Sequence, residues 1–295
     1  MNNYDDLLNN IPAEGQSGQQ LSKEDYAAKK QAEREDVFAL SDNTALEVAG
    51  DGGKFQQYLD VQTQFGRYSA VNSLLIMAQK PEATRLGDFD HWNSLGGFVK
   101  PGQTAIAILE PHEYIKEDGT TGTGYNIKKV FDVSQVDARK IKAAPQPTYN
   151  DRQLLKALVS SYPLKVMGVD ELPDNLGAMT DLDGSILVRK GMDFPETFRS
   201  VAYQMAGAEV ATDPELSQEQ EFYAYSATYL LCKKCGVDTQ GFDFTNAPNV
   251  FAGMDAKDIK GELSQIHDAA DAISGRMTKQ LDAIVKTAKN RDEAR

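Results

Sequence analysis

A helical run (RQLLKALVSSY), a strand (LKVMGV), a hairpin pivoting on Asp183-Gly184 and two further helices follow one another between Arg152 and Cys232. The last two helices are expected from Pro195 to about Val210 and from Gln218 to Cys232. The hairpin is marked by turn residues between AMT and SILV, two short apolar runs. This order of elements defines an α+β unit over residues 150–250.

Upstream lies KAAPQPTYND, Lys142 to Asp151, where two prolines disfavour continued helix and stiffen a spacer, so a domain boundary is expected there. The preceding domain, 22–145, reads as a mix of helix and strand. SKEDYAAKKQAEREDVFAL, with a Ser-x-x-Asp start suited to capping, gives a helix from Ser22 to about Leu40. Two more are expected over Gly53–Phe65 and Ser69–Gln79, then strands at Ala105–Leu109 and Lys128–Val133 around a loop or hairpin tip at Glu117–Gly124. Residues 1–21, rich in Asn, Gln and Gly, are expected to be a disordered tail. Over 255–290, Leu263, Ile266, Ala270, Ile273, Met277, Leu281 and Ile284 recur three or four apart, as in an amphipathic helix that packs on its own domain or seeks a groove elsewhere. The fold class is α+β.

Charge narrows the function. The chain carries a net −13, but residues 51–145 and 251–295 are neutral, while 1–50 hold −6 and 146–250 hold −7. Long-range attraction to nucleic acid or anionic membrane gets no help from the whole molecule, so a nucleic-acid site must be a local patch in the neutral stretch. No apolar run reaches the roughly 18 residues of a membrane span, and the acidic start MNNYDDLLNN lacks the apolar run of a signal peptide. With only two cysteines, Cys232 and Cys235, a disulfide-stapled secreted protein is not indicated, and a cytoplasmic location is expected. The pair forms a lone C-x-x-C within a helix, so structural cysteines are expected. Asp181-Leu-Asp183-Gly184 misplaces the glycine of a calcium loop and reads as a turn.

The helix FRSVAYQMAGAEV (Phe198–Val210) resembles the active-site helix of the zincin metallopeptidases, and the order of elements around it resembles their fold. In that family H-E-x-x-H places two imidazoles on one helix face, with the Glu as general base. Here Tyr203 stands at the first His, Gln204 at the Glu and Gly207 at the second His. Tyr223 and Tyr225 stand at two Glu positions of the next helix. A phenol of pKa about 10 is neutral at pH 7; an amide takes no proton from water; glycine has no side chain. Catalytic zinc needs three protein ligands and an open position. The resemblance therefore implies a degenerate zincin-like domain: no metal, no cofactor and no hydrolysis are expected, and Tyr203, Tyr223 and Tyr225 are expected to fill the vacated space and share hydroxyl hydrogen bonds.

In the first domain, FGRYSAVNSLLIMAQKPEATRLGDFDHWNSLGGFVKPGQTAIAI (Phe65–Ile108) carries spaced features: Tyr68-Ser69, then Asn72 before Leu74-Leu75, Trp92 before Gly96, and Val99-Lys100-Pro101-Gly102. With VFDVSQ (Val130–Gln135) they resemble the N-terminal domain of the ArdC antirestriction family, and the second half resembles the zincin-like domain that follows it there. The resemblance spans roughly 50–245. It implies single-stranded DNA binding by a protein of plasmids, phages or conjugative elements. Such binding needs rings for bases and cations for phosphates; the candidates are Tyr68, Phe89, His91 and Trp92 for stacking, and Arg67, Arg85 and Lys100 for phosphates. Asn72 suits a base or the backbone. A single Trp in a small domain serves either as platform or as core.

Two other functions stay open. The acidic stretches could meet a basic host-defence or restriction protein, making the chain an inhibitor or DNA mimic, or the tyrosine-lined cleft could serve another chemistry.

Overall fold

The computed structural model describes residues 22–116, 118–139, 141, 148–213 and 215–293. The expected tail, 1–21, and the core of the expected boundary, 142–147, lie outside the described residues.

The first half opens with three helices, α1 (Lys23–Ala49), α2 (Gly52–Gln64) and α3 (Ala70–Gln79). Each is capped by the residue before it: Ser22, Asp51 and Ser69 accept from the backbone N–H three positions on, satisfying donors that a helix start leaves free. α1 runs nine residues past the expected end at Leu40. The run SDNT that follows is polar, but Ser41 and Thr44 turn inward and donate to the carbonyls of Phe38 and Leu40. Val37, Ala45, Val48 and Ala49 are buried beside them, so packing overrides the local signal.

Strands follow: β1 (Leu86–Gly87), the short helix α4 (Phe89–Ser94), β2 (Phe98–Val99), β3 (Ile106–Ile115), β4 (Thr121–Asp132) and β5 (Val136–Asp137). β1, β4 and β3 form one antiparallel sheet, and β2 pairs with β5 in another. β3 and β4 make a ribbon in which all ten residues of β3 find partners, from Ile106 opposite Val130 to Ile115 opposite Thr121. Both strands are longer than expected, and Thr121–Gly124, expected in the loop, belongs to β4. Asp132 closes the ribbon's base. Its buried carboxylate accepts from the N–H groups of Thr84, Arg85 and Ser134 at 2.7–2.9 Å.

In the second half, α5 (Asp151–Ser161) leads to β6 (Val166–Val169), β7 (Ala178–Thr180), β8 (Ile186–Arg189), α6 (Phe194–Val210) and α7 (Gln218–Cys235). The order is the expected one. β8 is central, parallel to β6 and antiparallel to β7, which leaves β7 at an edge. The 181–184 turn is the hairpin tip, with Gly184 at φ +82°, a conformation that glycine adopts without strain. A four-residue helix α8 (Ala247–Val250) precedes the 38-residue helix α9 (Ala256–Glu293).

The two halves share one apolar core. Phe55 of α2 packs against Phe222, Phe244 and Phe251 at ring-centroid distances of 5.1, 5.4 and 5.6 Å. α9 does not stay on its own half. It buries Ile259, Leu263, Ile266, Ile273, Met277 and Leu281 against α5, α6 and α7 and also against α1 and α3. Lys260 pairs with Asp42 of α1, and His267 Nε2 lies 3.2 Å from the carbonyl of Gly66. Among the described residues no helix is long and apolar enough to cross a membrane.

Candidate functional site

An open cleft of about 620 Å³ lies between the start of α3, the β1–α4 turn and the face of the β3–β4 ribbon. The fold brings four of the eight expected nucleic-acid residues to it: Arg67, Tyr68, Asn72 and His91. It adds Asp88, Glu110, Tyr125 and Lys128, which the sequence reading missed. Alternation along the strand KKVFDV held the signal, because period two puts Lys128 on the side of the buried Val130.

The α2–α3 turn exposes Arg67, whose guanidinium has no ion pair among the described residues. The Tyr68 ring sits edge-on to Phe65 at 6.0 Å. Burial pushes its phenol above the ordinary value, with the Lys128 charge opposing. Lys128 Nζ bridges two carboxylates, Glu110 Oε1 at 2.9 Å and Asp88 Oδ2 at 3.2 Å. The bond to Glu110, then that to Asp88, raise the Lys128 pKa. The Asp88 carboxyl is held below its usual range, chiefly by the backbone N–H of His91. Arg67 is thus the one cation of this cleft without a carboxylate partner among the described residues.

The remaining expected residues have other roles. Trp92 is fully buried, and its indole N–H donates to the Phe131 carbonyl at 3.0 Å. Of the two readings of Trp92, core is the one the fold realises; the expectation of a stacking platform is corrected. The Arg85 guanidinium sits 5.2 Å from the centre of that ring, outside the cleft. Lys100 donates to the Ser134 carbonyl beyond the β2–β5 pair, and Phe89 is exposed away from the cleft. Asn72 is engaged with backbone: its amide donates to and accepts from Leu109, both at 2.8 Å.

A second cleft, of about 480 Å³, opens beside α6 and the β7 edge, lined by Arg199, Ser200, Tyr203, Gln204, Tyr225 and Phe242 among others. Three of the five degenerate metal-site positions reach it: Tyr203, Gln204 and Tyr225. Gly207 is buried, and a Cβ there would meet Leu216 at 3.2 Å. Tyr223 turns away, stacking on Phe251 with centroids 6.3 Å apart; burial raises its phenol pKa, with Glu262 of α9 adding to the shift. The expected plug of three tyrosines is therefore corrected. Successive odd positions on a helix diverge by about 200°, so Tyr223 and Tyr225 cannot both face one cavity, and the cleft stays open. Tyr225 instead accepts from the Asp243 N–H at 2.9 Å. Gln204 accepts from Thr180 Oγ1 at 2.9 Å and donates to the Ala178 carbonyl at 3.2 Å, tying α6 to β7.

These side chains do not fit a divalent metal: a phenol whose pKa is raised by burial, an amide engaged with β7, and a glycine. Among the described residues no three His, Cys, Asp or Glu side chains gather as a metal site would need. Cys232 and Cys235 are free, and burial pushes their thiols up to about 12 and about 11.

Residues 47–153 match the family described as the N-terminal domain of anti-restriction factor ArdC. Among solved structures, the chain is similar to the metal-free crystal structure of the antirestriction ArdC protein from the R388 plasmid. That match has 17% identity and a TM-score of 0.48, covering 72% of this chain and 86% of that one. The Mn(II)-bound structure of the same protein matches at 16% identity and a TM-score of 0.47, covering 71% and 85%. No curated protein matches. The family match thus rests on residues 47–153, where this chain is similar to the N-terminal domain of ArdC.

Proposed function

We propose that this protein is a non-catalytic single-stranded-DNA-binding protein of the antirestriction type, carried by a mobile genetic element, with its DNA seat in the cleft at Arg67 and Tyr68. One observation carries the reading: in the stretch matched to the ArdC N-terminal domain, an exposed Arg67 without a carboxylate partner adjoins the Tyr68 ring at the rim of an open cleft. A cation for phosphate beside a ring for a base is the minimal unit of sequence-tolerant single-strand binding. The carboxylates Asp88 and Glu110 are engaged by Lys128, which reduces their repulsion of phosphate. The chain's charge of −13 disfavours long-range capture, so affinity rests on this local patch and falls steeply with salt.

The second half serves as a scaffold in this reading. Tyr203, Gln204 and Gly207 offer neither ligands nor a general base, and Gln204 is committed to β7. Polarisation of a fluorescent oligonucleotide across a salt series, with zinc and manganese measured on the same sample, tests both parts. Binding that weakens with salt in metal-free protein supports them. No binding at low salt removes the DNA reading in favour of the acidic inhibitor, and stoichiometric metal with peptide cleavage removes the pseudoenzyme.

A further inference from the structure

The β3–β4 ribbon continues past the cleft. From Glu110 to Ile115 every side chain of β3 is exposed, with no third strand there among the described residues. A lone two-stranded ribbon is marginal in water, and glycine weakens a strand further. Yet β4 places Gly122 and Gly124 in this segment, directly opposite Tyr114 and His112.

Those glycines make room for rings. A Cβ on Gly124 would lie 2.7 Å from His112 Cε1 and Nε2, and one on Gly122 would lie 2.7 Å from Tyr114 Cζ. Both rings therefore lie across the opposite strand in the space a side chain would fill. Tyr114 keeps 47% of its surface in solvent, and His112 is exposed as well. Their centroids are 6.5 Å apart, about twice the roughly 3.4 Å step of duplex bases. Two rings so spaced take bases one each from an extended strand and do not match a continuous stack.

Period two sets Glu110, His112, Tyr114 and Lys116 on one face. Opposed residues of an antiparallel pair share a face, so Lys128, opposite Ile108, lies on it too. This face runs from the cleft to the ribbon tip, with Lys128 at one end and Lys116, whose stem lies over Gly122, at the other. Lys116 has no ion pair with a described residue.

We propose that this face is a two-ring stacking platform, His112 and Tyr114 backed by Gly124 and Gly122, that carries unpaired bases of the strand seated in the cleft. It rests on the reading of the cleft as a single-strand DNA seat. Because every base has a π-face, it confers length and affinity without sequence preference.

The test uses the full chain and oligonucleotides carrying 2-aminopurine at single positions, whose fluorescence is quenched on stacking. Tyr114→Ala and His112→Ala are each expected to weaken binding at least about fivefold and to relieve the quenching at one position, without lowering the melting temperature. Gly122→Val, which lifts the Tyr114 ring while keeping it, is expected to reproduce Tyr114→Ala. If Arg67→Ala weakens binding while the three ribbon variants bind and quench like the wild type, the platform is wrong and the cleft stands. A wild-type chain that binds no oligonucleotide, or a ribbon that captures peptides instead, removes the platform together with the reading beneath it.

Discussion

Asn72 holds the backbone of Leu109 as a neighbouring strand would: its Nδ2 donates to the Leu109 carbonyl and its Oδ1 accepts the Leu109 N–H, both at 2.8 Å. The pair lies buried where α3 crosses β3, so a side chain does what a third strand does elsewhere. Asn72→Leu keeps the volume and leaves both backbone groups unpaired. It is expected to cost about 2–4 kcal/mol, seen as a lower melting temperature by circular dichroism. An unchanged melting temperature would show that the clamp contributes nothing.

Arg67→Ala removes the cation without a partner at the cleft. Oligonucleotide affinity is expected to fall several-fold at low salt, and the slope of log K against log salt to become shallower by about 0.7, one phosphate contact on a single strand. A lower affinity at an unchanged slope would point to lost packing instead. Lys100→Ala, outside the cleft, is expected to leave both unchanged.

Asp132 makes stability depend on acid. Burial pushes its carboxyl pKa up, but bonds from Ser134, Arg85 and Thr84 outweigh this and leave it below the usual value. A depressed native pKa means that the ionised group stabilises the fold above the unfolded-state value of about 3.9, and that this contribution is lost as pH falls through the native pKa. Asp132→Asn is therefore expected to be less stable than wild type near neutrality, with the difference shrinking below about pH 4. Urea midpoints measured across that range decide it; a constant difference would mean that the carboxylate's charge is irrelevant.

Gln204→Glu replaces the amide N–H that reaches the Ala178 carbonyl with an oxygen that repels it. The variant is expected to lose about 1–2 kcal/mol and to loosen the β7 edge, read as faster amide hydrogen exchange at Ala178–Thr180. It is also expected to gain no zinc, because Tyr203 and Gly207 still withhold the neighbouring ligands. Zinc bound in stoichiometric amount by this single variant would contradict that view of the helix.

Thiols raised to about 12 and about 11 by burial are almost wholly protonated at pH 8. Cys232 and Cys235 are expected to resist iodoacetamide in the native chain and to react at the rate of unfolding. Rapid native labelling would overturn the packing described for α7.

The sequence made several helices readable to within a residue or two, because their caps are local: Ser69 before Ala70 and Ser22 before Lys23 need only neighbours three positions away. It also showed the β7–β8 hairpin, which rests on turn residues. It misjudged what depends on distant partners. α1 passes Leu40 because its later turns meet α3 and α9. The aromatic candidates divide by burial: Trp92 faces the core while Tyr68, two residues before α3 begins, faces the cleft, and composition says nothing about which. Tyr223 and Tyr225 are grouped by the resemblance, which puts them at two Glu positions of the zincin helix, although the helix sends them to different sides. Lys128 was hidden because its partners, Asp88 and Glu110, come from two other elements.

The position of α9 has a consequence for biosynthesis. Its apolar stripe covers α1 and α3, made more than 170 residues earlier. Until α9 is made, the faces of α1 and α3 that it covers have no lid, and the leading half of a nascent chain carries an open apolar strip. This core therefore closes late in synthesis, after both halves that contribute to it have been made.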